Sequence, residues 1–250
     1  MKSPIKWVGG KSKLVPLISS NAADLGSIVE PFCGSAALTL SNEPEVAVLN
    51  DSNEELINFY RVVRDDPEIL IALAGILEYD KRMYYAVRRT TQDWAPAQAA
   101  RFLYLNRTGF NGLYRVNNKG GFNVPFGKYN NPRIVFEGRI RSLSDYLNKD
   151  SVILSSVDFE EVFIPDGSVV YCDPPYHKVF TKYTKRDFDE PNQERLESWA
   201  SRLKCSVIVS NSDNPFIRRL YRNWRILGVD TNTQVGGSCK KQRELLMMNY

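Results

Sequence analysis

Four consecutive residues, Asp173-Pro174-Pro175-Tyr176, set a carboxylate, two rigid imino acids and an aromatic ring directly after the apolar run Val169-Val170-Tyr171-Cys172. The carboxylate accepts hydrogen bonds from an amino group, the Pro174 carbonyl can accept another, and the Tyr176 ring offers a flat face to a planar partner. Neither proline can donate to a sheet ladder and both fix φ, so they end the strand and hold the loop in shape before a ligand arrives. Such a loop suits the gripping of an exocyclic amine on a nucleobase. The plainer alternative is an Asp-Pro turn that merely ends a strand.

Other elements must position that loop. A continuous apolar run rich in Val predicts a central parallel strand covered on both faces, and open α/β sheets bind ligands at the carboxyl ends of such strands. Upstream, Ser27–Glu30 reads as a strand. Pro31-Phe32-Cys33-Gly34-Ser35-Ala36-Ala37 then turns into a helix through small residues that let a ligand approach the backbone. One glycine does not match G-x-G-x-x-G, so a pyrophosphate is not the obvious ligand. A second strand at 46–49 ends at Asn50-Asp51, where an acid about 20 residues after the turn would grip a ribose diol. Asp51 could equally cap the helix that follows, unless Ser52 or Asn53 takes that role. Near the N-terminus, 6–14 reads as a Gly-hinged loop entering a helix. Its Gly10-Lys11-Ser12 resembles the end of a P-loop, but Ile5 stands where the first glycine is required and no strand precedes it, so the NTPase reading fails.

From 56 to 147 strand signals nearly vanish. Helical patterns occupy 56–63, 67–77, 82–89 and 95–105, and 113–116 with 122–124 predicts a β-hairpin around the turn 118–120. Residues 56–149 carry 15 Lys and Arg against 8 Asp and Glu, whereas the remainder carries 18 against 21. No carboxylate falls between Trp94 and Phe136, while Arg101, Arg107, Arg115, Lys119, Lys128 and Arg133 do, among Phe110, Tyr114, Phe122, Phe126 and Tyr129. A basic stretch interleaved with aromatics marks a polyanion site, with nucleic acid the first candidate, and a hairpin is about the width a major groove admits. Strands resume at 152–154, 169–171, 206–209, 226–229 and 245–248, with helices near 192–203 and 215–222. The expected architecture is therefore one discontinuous α/β unit, 1–55 with 150–250, carrying a helical DNA-reading unit, 56–149.

Composition narrows the class further. The chain has 250 residues, 43% hydrophobic and 25% charged, as soluble globular proteins do. It has no apolar run of membrane-spanning length, and its first residues lack the apolar core of a signal peptide, so a cytoplasmic protein is expected. Cys33, Cys172, Cys205 and Cys239 are far apart, and the single histidine, His177, has no cluster around it, which argues against a zinc or other metal site.

With the turn at 31–37, the acid at 51 and the loop at 173–176 in place, the chain resembles the Dam family of DNA adenine-N6 methyltransferases, the D12 class with a D-P-P-Y motif. The resemblance covers nearly the whole chain, in the same order of parts. It is carried by Lys6-Trp7-Val8-Gly9-Gly10-Lys11, Glu30-Pro31-Phe32-Cys33-Gly34, Leu103-Tyr104-Leu105-Asn106-Arg107, Phe110-Asn111-Gly112-Leu113-Tyr114-Arg115, Phe122-Asn123-Val124-Pro125-Phe126-Gly127, and Gly236-Gly237 with Lys240-Lys241. It implies a Rossmann-like, S-adenosylmethionine-dependent methyltransferase sheet with a helical target-recognition insert, and no metal. It also implies cofactor contacts from Trp7, Lys11, Phe32, Gly34, Asp51 and Asp173, with Asp173, Pro174, Pro175 and Tyr176 holding a flipped adenine. Lys6, Asn111, Leu113, Arg115 and Pro125 match positions that read GATC in double-stranded DNA, and Phe110 matches an intercalating aromatic that is often Tyr in relatives. Lys128, Lys240 and Lys241 are expected to contact DNA, the last two at phosphates if they do not merely line a solvated turn. A bacterial or phage-encoded protein, monomeric in solution, is expected. The residues themselves leave N4 of cytosine open as the acceptor, and also a silent DNA-binding module on a relict cofactor fold. Arg115 read without the resemblance is a solvated hairpin charge, and Trp7 ordinary core.

Overall fold

The apolar run that ends at Cys172 lies buried in the middle of a sheet in the computed structural model, which describes residues 1–176, 188–235 and 238–250, the side chains of 231–242 excepted. His177, Gly236 and Gly237 fall outside the described residues. The helices are α1 (Val15–Asn21), α2 (Ala37–Asn42), α3 (Glu54–Asp65), α4 (Pro67–Gly75), α5 (Lys81–Arg89), α6 (Ala95–Thr108), α7 (Glu137–Leu147), α8 (Glu190–Arg202) and α9 (Pro215–Leu220). The strands are β1 (Ser27–Glu30), β2 (Val46–Asn50), β3 (Val152–Ser155), β4 (Val169–Cys172), β5 (Ser206–Ser212), β6 (Arg225–Val235) and β7 (Ser238–Met248). They form one sheet in the order β3-β2-β1-β4-β5-β7-β6. The first five are parallel, and β7 enters antiparallel between β5 and β6. This is the Rossmann-like α/β arrangement expected of a methyltransferase.

Alternation along each strand decides which layer it feeds. Val29, Val48, Val170 and Val207 face α8 and α9, through Leu196, Trp199, Ile217 and Tyr221. Ile28, Val169, Tyr171 and Ile208 face α1 and α2, through Val15, Ile18 and Leu38. Ala47 and Leu49 join a third core, which runs continuously through α3, α4, α6 and α7 and out to Val116 and Val124. Both faces of the parallel strands are covered, which is why their sequences read as unbroken apolar runs.

The strand order reverses at β1, whose neighbours are β2 and β4. The carboxyl ends of β1, β2 and β4 carry the turn after Glu30, Asp51 and Asp173, and the crevice at such a switch point is where doubly wound sheets bind ligands.

Three elements depart from expectation. The hairpin at 113–124 has no strand ladder: it closes through Asn117 N–H to the Gly121 carbonyl (2.8 Å) and Asn123 N–H to the Arg115 carbonyl (3.0 Å), with one bridge, Val116 to Phe122. Asn117 Oδ1 takes the Lys119 amide in the turn and the Gly121 amide, the second of which a ladder would need. Helix α7 was hidden by Gly138 in its first turn, although Ile140, Leu143 and Leu147 keep helical spacing. Strands β6 and β7 run well beyond their apolar ends, because antiparallel pairing such as Thr231 with Gln242 satisfies backbone groups without apolar side chains.

Leu49 is fully buried at the seam between the sheet and the helical layer. Leu49→Ala is expected to cost about 2–5 kcal/mol in urea unfolding, and to lower hydrogen-exchange protection in α6 together with β2. Loss of protection confined to β2 would show that the two layers unfold separately.

Candidate active site

At the end of β4, Asp173 is met from two directions. Ser210 on β5 donates to Asp173 Oδ1 at 2.7 Å, and Lys11 Nζ lies 3.0 Å from the same oxygen. Lys11 Nζ also donates to the Gly9 carbonyl at 2.6 Å and stands 3.9 Å from Glu244 Oε2 on β7. The Tyr176 hydroxyl donates to that Glu244 oxygen at 2.6 Å, with the ring centroid 4.7 Å from Lys11 Nζ. Gln193 on α8 donates to the Pro175 carbonyl at 2.9 Å, while its own Oε1 accepts from Asn211 at 3.0 Å. The loop after β4 is thus fastened at Asp173, Pro175 and Tyr176 from α8, β5, β7 and the N-terminal loop.

Burial sets the electrostatics here. It raises the Asp173 carboxyl above its ordinary range, against the opposing pull of Lys11 and Ser210. The Tyr176 phenol is pushed well above its usual value, by burial first and the Asp173 charge second, so it stays neutral. Lys11 is only 7% exposed, and its pairing with Asp173 offsets part of the cost of burying the two groups.

The turn after β1 forms the second part. Gly34 has φ +47°, and a Cβ there would come within 2.6 Å of the Trp7 indole, so glycine is required by both conformation and contact. Gly34 N–H donates to Asp51 Oδ2 at 3.1 Å, and the Tyr60 hydroxyl donates to the Gly34 carbonyl at 2.8 Å. Asp51 Oδ1 accepts from Asn53 N–H at 3.0 Å, while Asn53 itself caps α3 by accepting from Leu56 N–H. The cap is therefore Asn53, and Asp51 stays at the crevice. Burial raises the Asp51 carboxyl to about 6, with the Asn53 and Gly34 amides opposing. Glu30, at the end of β1, is buried and pushed to about 7 by the same cause, offset by hydrogen bonding to Thr39.

The helical layer supplies the third part. Asn106 on α6 accepts from Lys6 N–H at 2.8 Å and donates to the Lys6 carbonyl at 2.6 Å. The Lys6 side chain crosses Gly112, where a Cβ would meet it at 2.5 Å, and puts Nζ 3.8 Å from the Tyr129 ring centroid. Phe110 N–H donates to the Pro125 carbonyl at 2.9 Å, and the Phe110 ring is 43% exposed. Asn111 takes a left-handed φ of 54°. Arg115 is exposed and bonded twice to Asn123, to Oδ1 at 2.7 Å and to the carbonyl at 3.2 Å. Leu113 is half-buried, while Pro125 and Lys128 are exposed.

The family model of D12 class N6 adenine-specific DNA methyltransferases matches residues 7–235. The chain belongs to this family. It is 39% identical to the Type II methyltransferase M1.LlaDCHI of Lactococcus lactis subsp. cremoris, over 98% of this chain and 94% of that one. To the DNA adenine methylase of Vibrio cholerae serotype O1 (strain ATCC 39315 / El Tor Inaba N16961) it is 35% identical, again over 98% and 94%. The Type II methyltransferase M.MjaIII of Methanocaldococcus jannaschii is 32% identical over 100% of this chain and 99% of its own.

As a D12 methyltransferase the protein is an adenine-specific DNA methyltransferase, and the family implies S-adenosylmethionine as methyl donor and DNA as acceptor. The residues fit that donor: each Asp51 oxygen, holding one amide, can still accept a hydroxyl, beside a turn whose Gly34 lets the Trp7 indole lie against the backbone. Of the anticipated residues, Trp7, Gly34 and Asp51 meet around one turn, and Lys11, Asp173 and Tyr176 around another. Phe32 stands apart from Trp7, packed on Phe159 and Phe188 at centroid distances of 5.5 and 5.6 Å. Lys240 and Lys241 lie on β7 with side chains outside the described set. No helix among the described residues is long and apolar enough to cross a membrane. Ser210, Gln193, Glu244 and Tyr60 were not anticipated. Ser210-Asn211-Ser212 ending an apolar strand, and Glu244 opening Leu245-Leu246-Met247-Met248, were the available signals.

Asn106→Ala strips the partners from both Lys6 backbone groups. It should lower stability by about 1–3 kcal/mol in urea titration, whereas the exposed Asn130→Ala should stay within about 0.5 kcal/mol.

Proposed function

We propose that this enzyme methylates N6 of an adenine within GATC in double-stranded DNA, acting on an adenine swung out of the base stack. The observation that carries the reading is the fastened loop 173–176 at the carboxyl end of β4, one strand away from the Gly34 turn and two from Asp51. The site sequence rests on the match of Lys6, Asn111, Leu113, Arg115 and Pro125 to positions that read GATC. The arrangement of Lys6, Phe110 and Pro125 around Asn106 and Gly112 supports their acting together. Phe110 has the exposure an aromatic needs to fill the gap left in the stack. Residues 1–55 with 150–250 then form the catalytic and cofactor unit and 56–149 the target-recognition unit, with Lys128, Lys240 and Lys241 on the phosphates.

An adenine inside a duplex is out of reach, and extruding it costs a few kcal/mol. Its amino lone pair is conjugated with the ring and is a poor nucleophile. Lys11 and Ser210 occupy Asp173 Oδ1, which leaves Oδ2 to accept one amino hydrogen while the Pro174 carbonyl accepts the other. Two acceptors favour a tetrahedral nitrogen and stabilise the positive charge that develops on it as the N–C bond forms. Tyr176, kept neutral and tied to Glu244, presents its ring to the base. When bound, S-adenosylmethionine supplies an electrophilic methyl on a sulfonium that is already a good leaving group. Trp7, Gly34 and Asp51 hold the donor, Asp51 through the ribose hydroxyls, with Lys11 and Phe32 bordering it.

Tritiated methyl transfer to a GATC duplex and to a scrambled one should label only the first, at N6 of adenine. Equal labelling would reject the site. Asp173→Ala should slow transfer about 10²–10³-fold, and full activity in that variant would reject the clamp.

Asp51 gives a second test. Hydroxyls donate to its ionised form, so S-adenosylhomocysteine affinity should be level above about 6 and fall about tenfold per pH unit below it. Asp51→Asn should bind weakly with no such slope. Stability of the free protein moves oppositely. Folding raises this carboxyl, so its ionisation opposes folding, and relative to Asp51→Asn the protein should gain stability as pH falls from about 6 towards about 4.

A further inference from the structure

Tyr114 joins the two halves of the site. Its ring stacks on Trp7 at a centroid distance of 5.9 Å and an interplanar angle of 25°, and the Trp7 indole rests against Gly34 on the cofactor turn. The Tyr114 hydroxyl donates to Glu55 Oε2 at 2.9 Å, in the first turn of the helix that follows Asp51. Glu55 Oε1 pairs in turn with Arg101 at 3.4 Å, and Arg101 donates to the carbonyls of Val87 and Arg88 at the end of α5. On its other side Tyr114 meets the edge of Phe122 at 5.6 Å, across the hairpin, and the next residue in the chain is Arg115. The ring is 7% exposed, although the residues on either side of it reach solvent.

A side chain in this position cannot stay put while its neighbours move. When the hairpin takes up DNA, any shift of the arm bearing Arg115 carries Tyr114, and a close-packed interior answers by changing between discrete arrangements rather than by stretching. The indole that shares the stack is the one seated on Gly34. A ligand that fixes Trp7 therefore selects among placements of Tyr114, and so among placements of the hairpin.

We propose that Tyr114 is a positioning residue that couples the two substrates: filling the cofactor turn and engaging DNA at the hairpin strengthen each other through the Trp7–Tyr114 stack. The inference rests on the reading of Trp7 as a cofactor contact and of the hairpin as a DNA reader. The stacked ring carries the coupling, and the Glu55 hydrogen bond orients the ring. A Tyr114 that served only as core would support stability without linking the two affinities.

The test is a binding cycle on the full chain with S-adenosylhomocysteine and a duplex that the protein methylates, each titrated alone and in the presence of the other. In the unaltered protein the duplex should tighten S-adenosylhomocysteine at least about 5-fold, with the same factor in the reverse direction. In Tyr114→Leu both ligands should still bind and the factor should fall to one, while Tyr114→Phe, which keeps the ring, should retain it. No coupling in the unaltered protein, or full coupling in Tyr114→Leu, would overturn the inference. Unchanged S-adenosylhomocysteine affinity in Trp7→Leu without DNA would overturn the cofactor reading beneath it. A measurement that needs no variant is amide exchange over 113–124, which S-adenosylhomocysteine alone should slow several-fold; unchanged exchange there would reject the coupling.

Discussion

Lys11 is the cation on which the crevice depends. Glu30, Asp51 and Asp173 stand at the carboxyl ends of β1, β2 and β4, at one end of the sheet, and Glu244 reaches the same region from β7. Burial raises the first three carboxyls, and at Asp173 Lys11 pulls the other way. Lys11, 3.0 Å from Asp173, opposes that rise and so favours the anion that the proposed clamp would use. The ammonium is held by the Gly9 carbonyl, and the loop carrying it turns on Gly9 at φ +77°. A short Gly-hinged segment thus brings a cation to a strand end more than 160 residues away in the chain.

The same segment braces the helical layer. Within six residues it bonds Lys6 to Asn106, stacks Trp7 on Tyr114 and delivers Lys11 to Asp173. The layer and the sheet also share one apolar core through Leu49, Leu56 and Phe102. The helical layer and the 173–176 loop therefore stand on a common support, with polar contacts at its rim and packed side chains beneath.

Much of this arrangement was legible in the chain, and what was not has a physical reason. Strand ends were clear because Val-rich runs stop at residues that cannot continue a ladder, so Asp173 and Asp51 could be placed at a crevice before their surroundings were known. Asn53 as the cap of α3 follows from the ordinary preference of that position. Ser210, Gln193 and Glu244 were not legible as site residues. Each acts on the 173–176 loop across 18 to 68 residues of sequence, and nothing in local pattern reports a contact at that range. The packing of Phe32 on Phe159 and Phe188 was not legible either, because both partners lie more than 120 residues away in sequence. The hairpin forms where its spacing puts it, but with one bridge in place of a longer ladder, since Asn117 Oδ1 takes the Gly121 amide.

The position of β7 has a kinetic meaning. It follows β6 in sequence yet lies inside it, against β5. During synthesis, β6 emerges with no strand to pair with, and β5 keeps a bare edge until β7 arrives to fill the gap between them. The residue that ties Tyr176, Glu244, travels on that late strand. A ribosome-bound chain can therefore hold Asp173 through Lys11 and Ser210, and Pro175 through Gln193, before β7 is in place, whereas the Tyr176 tie to Glu244 must wait for the last strand to enter the sheet.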